Sequence, residues 1–308
     1  MSTDLKTILK NRIINKWSLF CLISIPMSTL MVIAMMGVDM STAPGVSEMI
    51  GFSVRFAVPF IYLVVAISSI QILFPGSFSM WLMRNRKYIG LCFAVAMAWQ
   101  GLFIFIMSYF FHDYYFEQVY LFRDELEGSI GYIFLPAMVV TSFHFGRKHL
   151  SSKQWKLLHK SGIYFLWAYP FSTYWWSLCN GLYCYGSPVP LDYVYYWGGF
   201  LAFALRIAAW GKQRWQATNR NAAENNMPLA LRALGGVLIV SGLIWSASFY
   251  WQDRVTDFLT ASAWSADLVL WLPFWPYEPY LSLFIIGLGT MLITKVRSAD
   301  KSIWAVDS

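Results

Sequence analysis

Eight apolar runs, each about long enough to cross a bilayer, divide this chain: 17–37, 51–73, 88–111, 129–146, 161–178, 192–210, 229–250 and 276–294. A hydrocarbon layer of ~30 Å takes roughly 20 residues at ~1.5 Å of rise each, so such runs mark spanning helices. In lipid every backbone N–H and C=O must be bonded within the protein, and a helix meets that need inside a single run. Composition agrees, with 58% hydrophobic and 13% charged residues and a mean hydropathy of +0.50; soluble domains carry about 25% charged residues. The expected fold is therefore an all-α integral membrane protein, a single membrane domain over 1–308 with eight transmembrane helices. The longest connection, 251–275, is too short for a nucleotide-binding domain, and no flavin or nicotinamide motif is present. No FAD or NAD(P) site is expected.

Charge sets the orientation. With the N-terminus inside, Lys10, Arg12, Arg84, Arg86, Lys87, Arg147, Lys148, Lys153, Lys156, Lys160, Lys212 and Arg297 all fall on the cytoplasmic side. The opposite loops hold Asp39, Glu48, Asp113, Glu117, Glu125, Asp192, Asp257 and Glu278, with few cations. This is the positive-inside pattern, and it puts both termini in the cytoplasm of a cell inner membrane. The first run reads as a signal anchor, since no cleavage site precedes a soluble mature chain. The formal charge of +7 is the remainder of this asymmetry, so the bilayer is the expected partner and a nucleic acid is not. The basic 147–160 loop would also attract anionic headgroups.

Polar residues within or beside the runs are the candidate functional groups. Arg55 lies within about two turns of the outer surface, either snorkelling or serving as counter-charge to an acidic cofactor group. Gln100 falls near mid-membrane in the third run, where a buried amide needs a partner and usually bonds across to another helix. Cys179 and Cys184 share one short outer loop, where they form a disulfide or remain as two thiols. Gly235, Gly236, Gly242 and Ser246 in the seventh run are small residues that let helix backbones approach. Prolines 273, 276 and 279 interrupt an aromatic outer segment that is expected to lie in the interface. With Tyr174, Trp175, Trp176, Tyr193, Tyr195, Tyr196 and Trp197, that segment could form an outer pocket for a lipid, a quinone-like ring or a partner protein.

Four histidines remain: His112, His144, His149 and His159. Arg86-Lys87 leads into Gly90-Leu91, with Gln100 ten residues after the glycine; Thr141-Ser142 closes the fourth run; and Trp155, Leu158 and His159 form a Trp-x-x-Leu-His sequence, thirteen residues before Ser172. Together these resemble the ferric-reductase-like transmembrane family, most closely its haem-binding membrane subunits that serve periplasmic methionine-sulfoxide reduction. The resemblance covers roughly 50–210 as a core, leaving 211–308 as two additional helices with the aromatic outer segment. It implies haem-ligand histidines at the positions of Gln100, His159 and Ser172, of which only His159 is a histidine here.

A b-type haem needs two axial ligands at one depth, and glutamine and serine are weak substitutes for imidazole. His144 and His159, both near cytoplasmic helix ends, are the one pair that could still hold haem b. Two functional expectations follow. In the first, the chain keeps the family's bundle as a scaffold for a membrane partner or lipophilic ligand, without haem. In the second, it binds one haem b through His159 and passes electrons from quinol or a cytoplasmic donor to a periplasmic redox partner.

Overall fold

The computed structural model describes residues 7–120, 122–178, 188–220, 228–264 and 279–294. These residues are helical, with no strand among them. The long helices are α1 (Lys16–Gly37), α2 (Ala43–Leu73), α3 (Ser77–Phe110), α4 (Phe122–Thr141), α5 (Ser152–Leu178), α6 (Pro190–Arg220), α7 (Leu229–Ser246) and α8 (Pro279–Ile293). Every apolar run falls on one of them. Four, α1, α2, α3 and α7, are long and apolar enough by themselves to cross a membrane. The others fall short for local reasons. Helix α4 opens on Arg123, Asp124, Glu125 and Glu127; α5 and α6 draw their apolar character from Trp and Tyr; and α8 has 15 residues, ~22 Å of rise.

Several helix ends differ from the apolar runs. Helix α2 starts at Ala43 rather than 51, because the Thr42 side chain accepts from the Gly45 N–H and Pro44 sits in the first turn, where its missing N–H costs nothing. Helix α3 starts at Ser77 rather than 88, so Arg84, Arg86 and Lys87 lie on a helix and not before one. The acidic 112–127 stretch is not an extended loop. Short helical turns cover His112–Val119, and Glu125 and Glu127 stand in the first two turns of α4, where the helix dipole favours negative charge. Helix α4 stops at Thr141, so His144 belongs to a separate four-residue helix, His144–Arg147. Helix α7 stops at Ser246, followed by a 3-10 turn at Ser248–Tyr250.

The chain divides into two compact units, 1–171 and 172–308. In the first, α2 packs along α3 and contributes the most buried surface, including Val58, Ile61, Val65 and Ile67. Helix α1 is tied to α3 by two side-chain bonds one turn apart: Ser24 Oγ donates to Cys92 Sγ (3.6 Å) and Trp99 Nε1 to Ser28 Oγ (3.1 Å). At the end near the α1–α2 connection, Met31, Met49, Phe103 and Met107 share a core with Tyr115, whose hydroxyl donates to the Glu125 carboxylate. At the other end Asn85 of α3 is fully buried and holds the start of α1: it accepts from the Lys16 N–H (2.8 Å) and donates to Asn15 Oδ1 and the Trp81 carbonyl (3.1 Å each).

In the second unit α7 and α8 run antiparallel in close contact. A Cβ on Gly235 would fall 2.8 Å from the Gly289 carbonyl oxygen, and one on Gly242 2.8 Å from that of Ser282. Both pairs are seven residues apart, Gly235 with Gly242 and Ser282 with Gly289, the repeat of a left-handed crossing with small residues at the seam. Gly236 faces open space, so three of the four small residues expected at a seam, Gly235, Gly242 and Ser246, are the buried ones. Tyr196 of α6 donates to the Ser246 carbonyl (2.6 Å) and packs edge-on against Phe249.

Candidate functional site: the α4–α5 corner

A helix leaves its last four carbonyls without intrahelical partners. At the end of α4, each is taken up by a specific group. Thr141 Oγ1 donates to the Ala137 carbonyl (2.6 Å) and Ser142 Oγ to that of Met138 (2.7 Å). The Ser142 and Phe143 N–H groups reach Val139 and Val140 (3.1 and 3.2 Å). The carbonyl of Thr141 itself accepts from Trp155 Nε1 (3.0 Å), fourteen residues on. Gly146 then passes so close to the Val140 backbone that any Cβ there would collide with it. Helix α5 begins with a reciprocal cap, in which the Ser151 N–H donates to Gln154 Oε1 (2.9 Å) and the Gln154 N–H to Ser151 Oγ (3.2 Å).

His159 completes this corner. Its Nε2 lies 3.0 Å from Thr141 Oγ1, and its ring packs on Trp155 with centroids 4.3 Å apart. Thr141 has one hydroxyl proton, already directed at Ala137, so the network assigns the hydrogen to Nε2 and leaves Nδ1 as the acceptor nitrogen. On the outer face of Trp155, the Arg147 guanidinium stacks at 5.3 Å while donating to the Leu150 carbonyl (2.5 Å) and Ser152 Oγ (3.2 Å). Lys87 lies 4.0 Å over the Phe143 ring, which also stacks on Trp17 of α1. Burial first, then the positive fields of Arg86 and Arg147, push the His159 imidazole below its ordinary value of 6.5.

That shift has a pH consequence. The folded state resists a proton that the unfolded state accepts, so stability is full above about pH 6.5 and falls as pH drops below it. Thermal unfolding of the detergent-solubilised protein between pH 7.5 and 5 should show this slope, and His159→Gln should flatten it. An unchanged slope in that variant would assign the acid sensitivity elsewhere.

The remaining candidate positions are dispersed. Gln100 is buried in α3 and accepts from the Tyr132 hydroxyl of α4 (3.1 Å). The Tyr132 ring lies on Gly101, within 3.2 Å of where a Cβ would be, so phenol fills the space between the two helices at that level. Gln100 is fourteen residues from Arg86, ~21 Å along α3, and it is the positive field of Arg86 that reaches His159. His144 is exposed on its own short turn. Ser172 is half-buried in α5 at the start of the second unit, and Arg55 is exposed on α2. Cys179, Cys184 and prolines 273 and 276 lie outside the described residues; Pro279 opens α8. Cys21 is exposed and Cys92 buried, both as free thiols.

At the Gln100 position, where the resemblance implies a ligand, the side-chain amide oxygen accepts from the Tyr132 hydroxyl. Among the described residues no group of three or more His, Cys, Asp or Glu is placed to hold a metal ion. The sequence signals for the corner were legible as Thr141-Ser142 and Trp155-x-x-Leu158-His159. Tyr132 and Asn85 were missed, although each stands opposite a polar residue that needs a partner. Compared with family models, curated proteins and solved structures, the chain matches none of them.

Proposed function

We propose that this is an eight-span inner-membrane protein, both termini cytoplasmic, built on a ferric-reductase-like frame that no longer grips haem. It serves as a scaffold or as the subunit that binds a membrane partner or lipophilic ligand. The observation carrying this reading is that Thr141, Ser142, Trp155 and His159 are all engaged in ending α4 and joining it to α5. A scaffold needs a rigid bundle, and the Gln100–Tyr132 bond supplies a cross-helix tie at mid-membrane depth in place of a metal–ligand bond.

Optical spectroscopy tests the reading. Full-length protein purified from haem-supplemented cells should be colourless, with no Soret band and no α-band after dithionite reduction. A stoichiometric reduced-minus-oxidised spectrum that disappears in His159→Ala would replace the scaffold with the electron-transfer alternative, a single haem b held through His159.

A further inference from the structure

The apolar surface of α7 does not stop where the helix does. Val237, Val240 and Ile244, at spacings of three and four on one face, are exposed, as befits a helix long and apolar enough to cross a membrane. The Ile244 carbonyl accepts from Trp251 Nε1 (3.0 Å), which ties the end of α7 to a further helix, Gln252–Thr260. At ~100° per residue, Val255, Phe258 and Leu259 form one stripe of that helix and Asp257 stands on the opposite side. Arg254, four residues before Phe258, borders the stripe. Val255, Phe258 and Leu259 are 42%, 80% and 37% exposed, whereas Gln252 is buried. The helix thus turns a polar residue to the protein and its apolar stripe outward, the reverse of a helix packed on a core in water. A nine-residue helix is also shorter than the ~12 residues at which an isolated helix becomes marginally stable in water. It needs something for the stripe to bury against. Tyr250 and Trp264 stand exposed on either side of it in sequence, aromatic types that gather where a membrane meets water.

We propose that Gln252–Thr260 lies in the plane of the membrane, in the interfacial layer of the leaflet reached by the Ser246 end of α7. Val255, Phe258 and Leu259 enter the upper acyl region and Asp257 faces water. The Arg254 stem lies along the stripe with its guanidinium among the lipid phosphates. Lipid is the occupant, and not a partner protein, because the stripe continues the lipid-facing surface of a spanning helix to which Trp251 fastens it. Three side chains are also far short of the ~800 Å² per partner that a stable protein interface buries, whereas seating an amphipathic helix ~5–10 Å into the headgroup boundary needs no more than such a stripe. The inference requires that α7 spans the membrane; it is independent of which side is the cytoplasm and of whether haem is bound.

Site-specific photocrosslinking of the full-length protein in phosphatidylcholine–phosphatidylglycerol nanodiscs tests this. Benzoylphenylalanine is placed at position 258, 257 or 240, one at a time, and lipid adducts on the resulting peptides are measured by mass spectrometry. Position 258 should give adducts near the level of 240 in α7 and at least about five-fold above 257. A yield at 258 no higher than at 257, or a crosslink from 258 to another part of this chain in place of lipid, would overturn the proposal while 240 still reports the span. Adducts at neither 258 nor 240 would overturn the span of α7 and the in-plane helix together. Hydrogen exchange gives a second reading. Val255→Gln/Phe258→Gln should speed exchange of the 252–260 amides by about ten-fold or more with α7 unchanged, and Asp257→Asn should leave it as it is. Equal exchange in the two variants would mean that lipid does not hold this helix.

Discussion

Gly289→Ala should destabilise the protein by about 1–3 kcal/mol, at the upper end of what one added methyl group costs in a packed interface. The new Cβ would stand 2.5 Å from the Gly235 carbonyl oxygen and 3.0 Å from the Ile239 nitrogen. Both are backbone atoms, so no side-chain rotation relieves the contact and α7 must move away from α8. Gly235→Ala should behave alike, since its Cβ would meet the Gly289 carbonyl oxygen at 2.8 Å and the Ile293 nitrogen at 3.3 Å. Gly236→Ala, one residue away and facing open space, should be neutral or slightly stabilising, because alanine is the better helix former. Thermal unfolding of the three variants in one detergent decides the matter; if Gly289→Ala is as harmless as Gly236→Ala, the helices do not touch along this seam. Helix α8 also meets α6, where a Cβ on Gly211 would fall 2.7 Å from the Thr290 methyl group.

The seam shows what kind of information the sequence carried. Gly235 and Gly242 stood out because small residues seven apart in an apolar helix are unusual, but Gly236 was indistinguishable from them until the facing helix was known. The apolar runs located every long helix, since burial in lipid or protein leaves a compositional trace over some twenty residues. Their ends were less legible. A cap is one or two residues: Thr42-Ala43 and Gly76-Ser77 fall between the apolar runs, and each is in fact the N-cap and first residue of the next helix. At the α4–α5 corner the Thr-Ser pair and the Trp-x-x-Leu-His sequence, fourteen or more residues apart, prove to be in contact through Trp155 and His159. The pattern alone could not say whether they held iron or closed a helix, because a histidine that bonds to Thr141 and one that binds a metal look the same in a sequence. Gln100 announced that it needed a partner, and only the packing of α3 against α4 through Gly101 identified it as Tyr132.

Asn85 left the least trace. Met83-Arg84-Asn85-Arg86-Lys87 reads as a solvated cytoplasmic connection, yet with α3 extended back to Ser77 the residues Trp81, Arg84 and Asn85 fall on one helix face at spacings of three and four. All three are directed at the segment before α1. Trp81 Nε1 donates to the Ile14 carbonyl (2.9 Å), and Arg84 donates to the Leu9 carbonyl (2.8 Å) and Asn15 Oδ1 (3.0 Å). Asn85 supplies from another helix the acceptor that an N-cap residue would normally supply from within α1, since the Asn15 side chain makes no cap bond to its own helix. This is needed because Lys16 enters α1 with φ at 56°, a left-handed conformation that costs a non-glycine residue roughly 1–2 kcal/mol. Asn85→Ala removes three hydrogen bonds at a fully buried position and leaves the Lys16 N–H without its acceptor. The expected cost is about 2–4 kcal/mol, with faster tryptic cleavage at Lys10 and Arg12 as the segment before α1 detaches. Asn85→Asp retains the acceptor for Lys16 but loses both donors and buries a charge, so it should be no better than alanine at pH 7. Lys16→Gly relieves the left-handed residue and should leave cleavage slow. If Asn85→Ala changes neither melting nor cleavage, the start of α1 is held by lipid and by Trp17 rather than by α3.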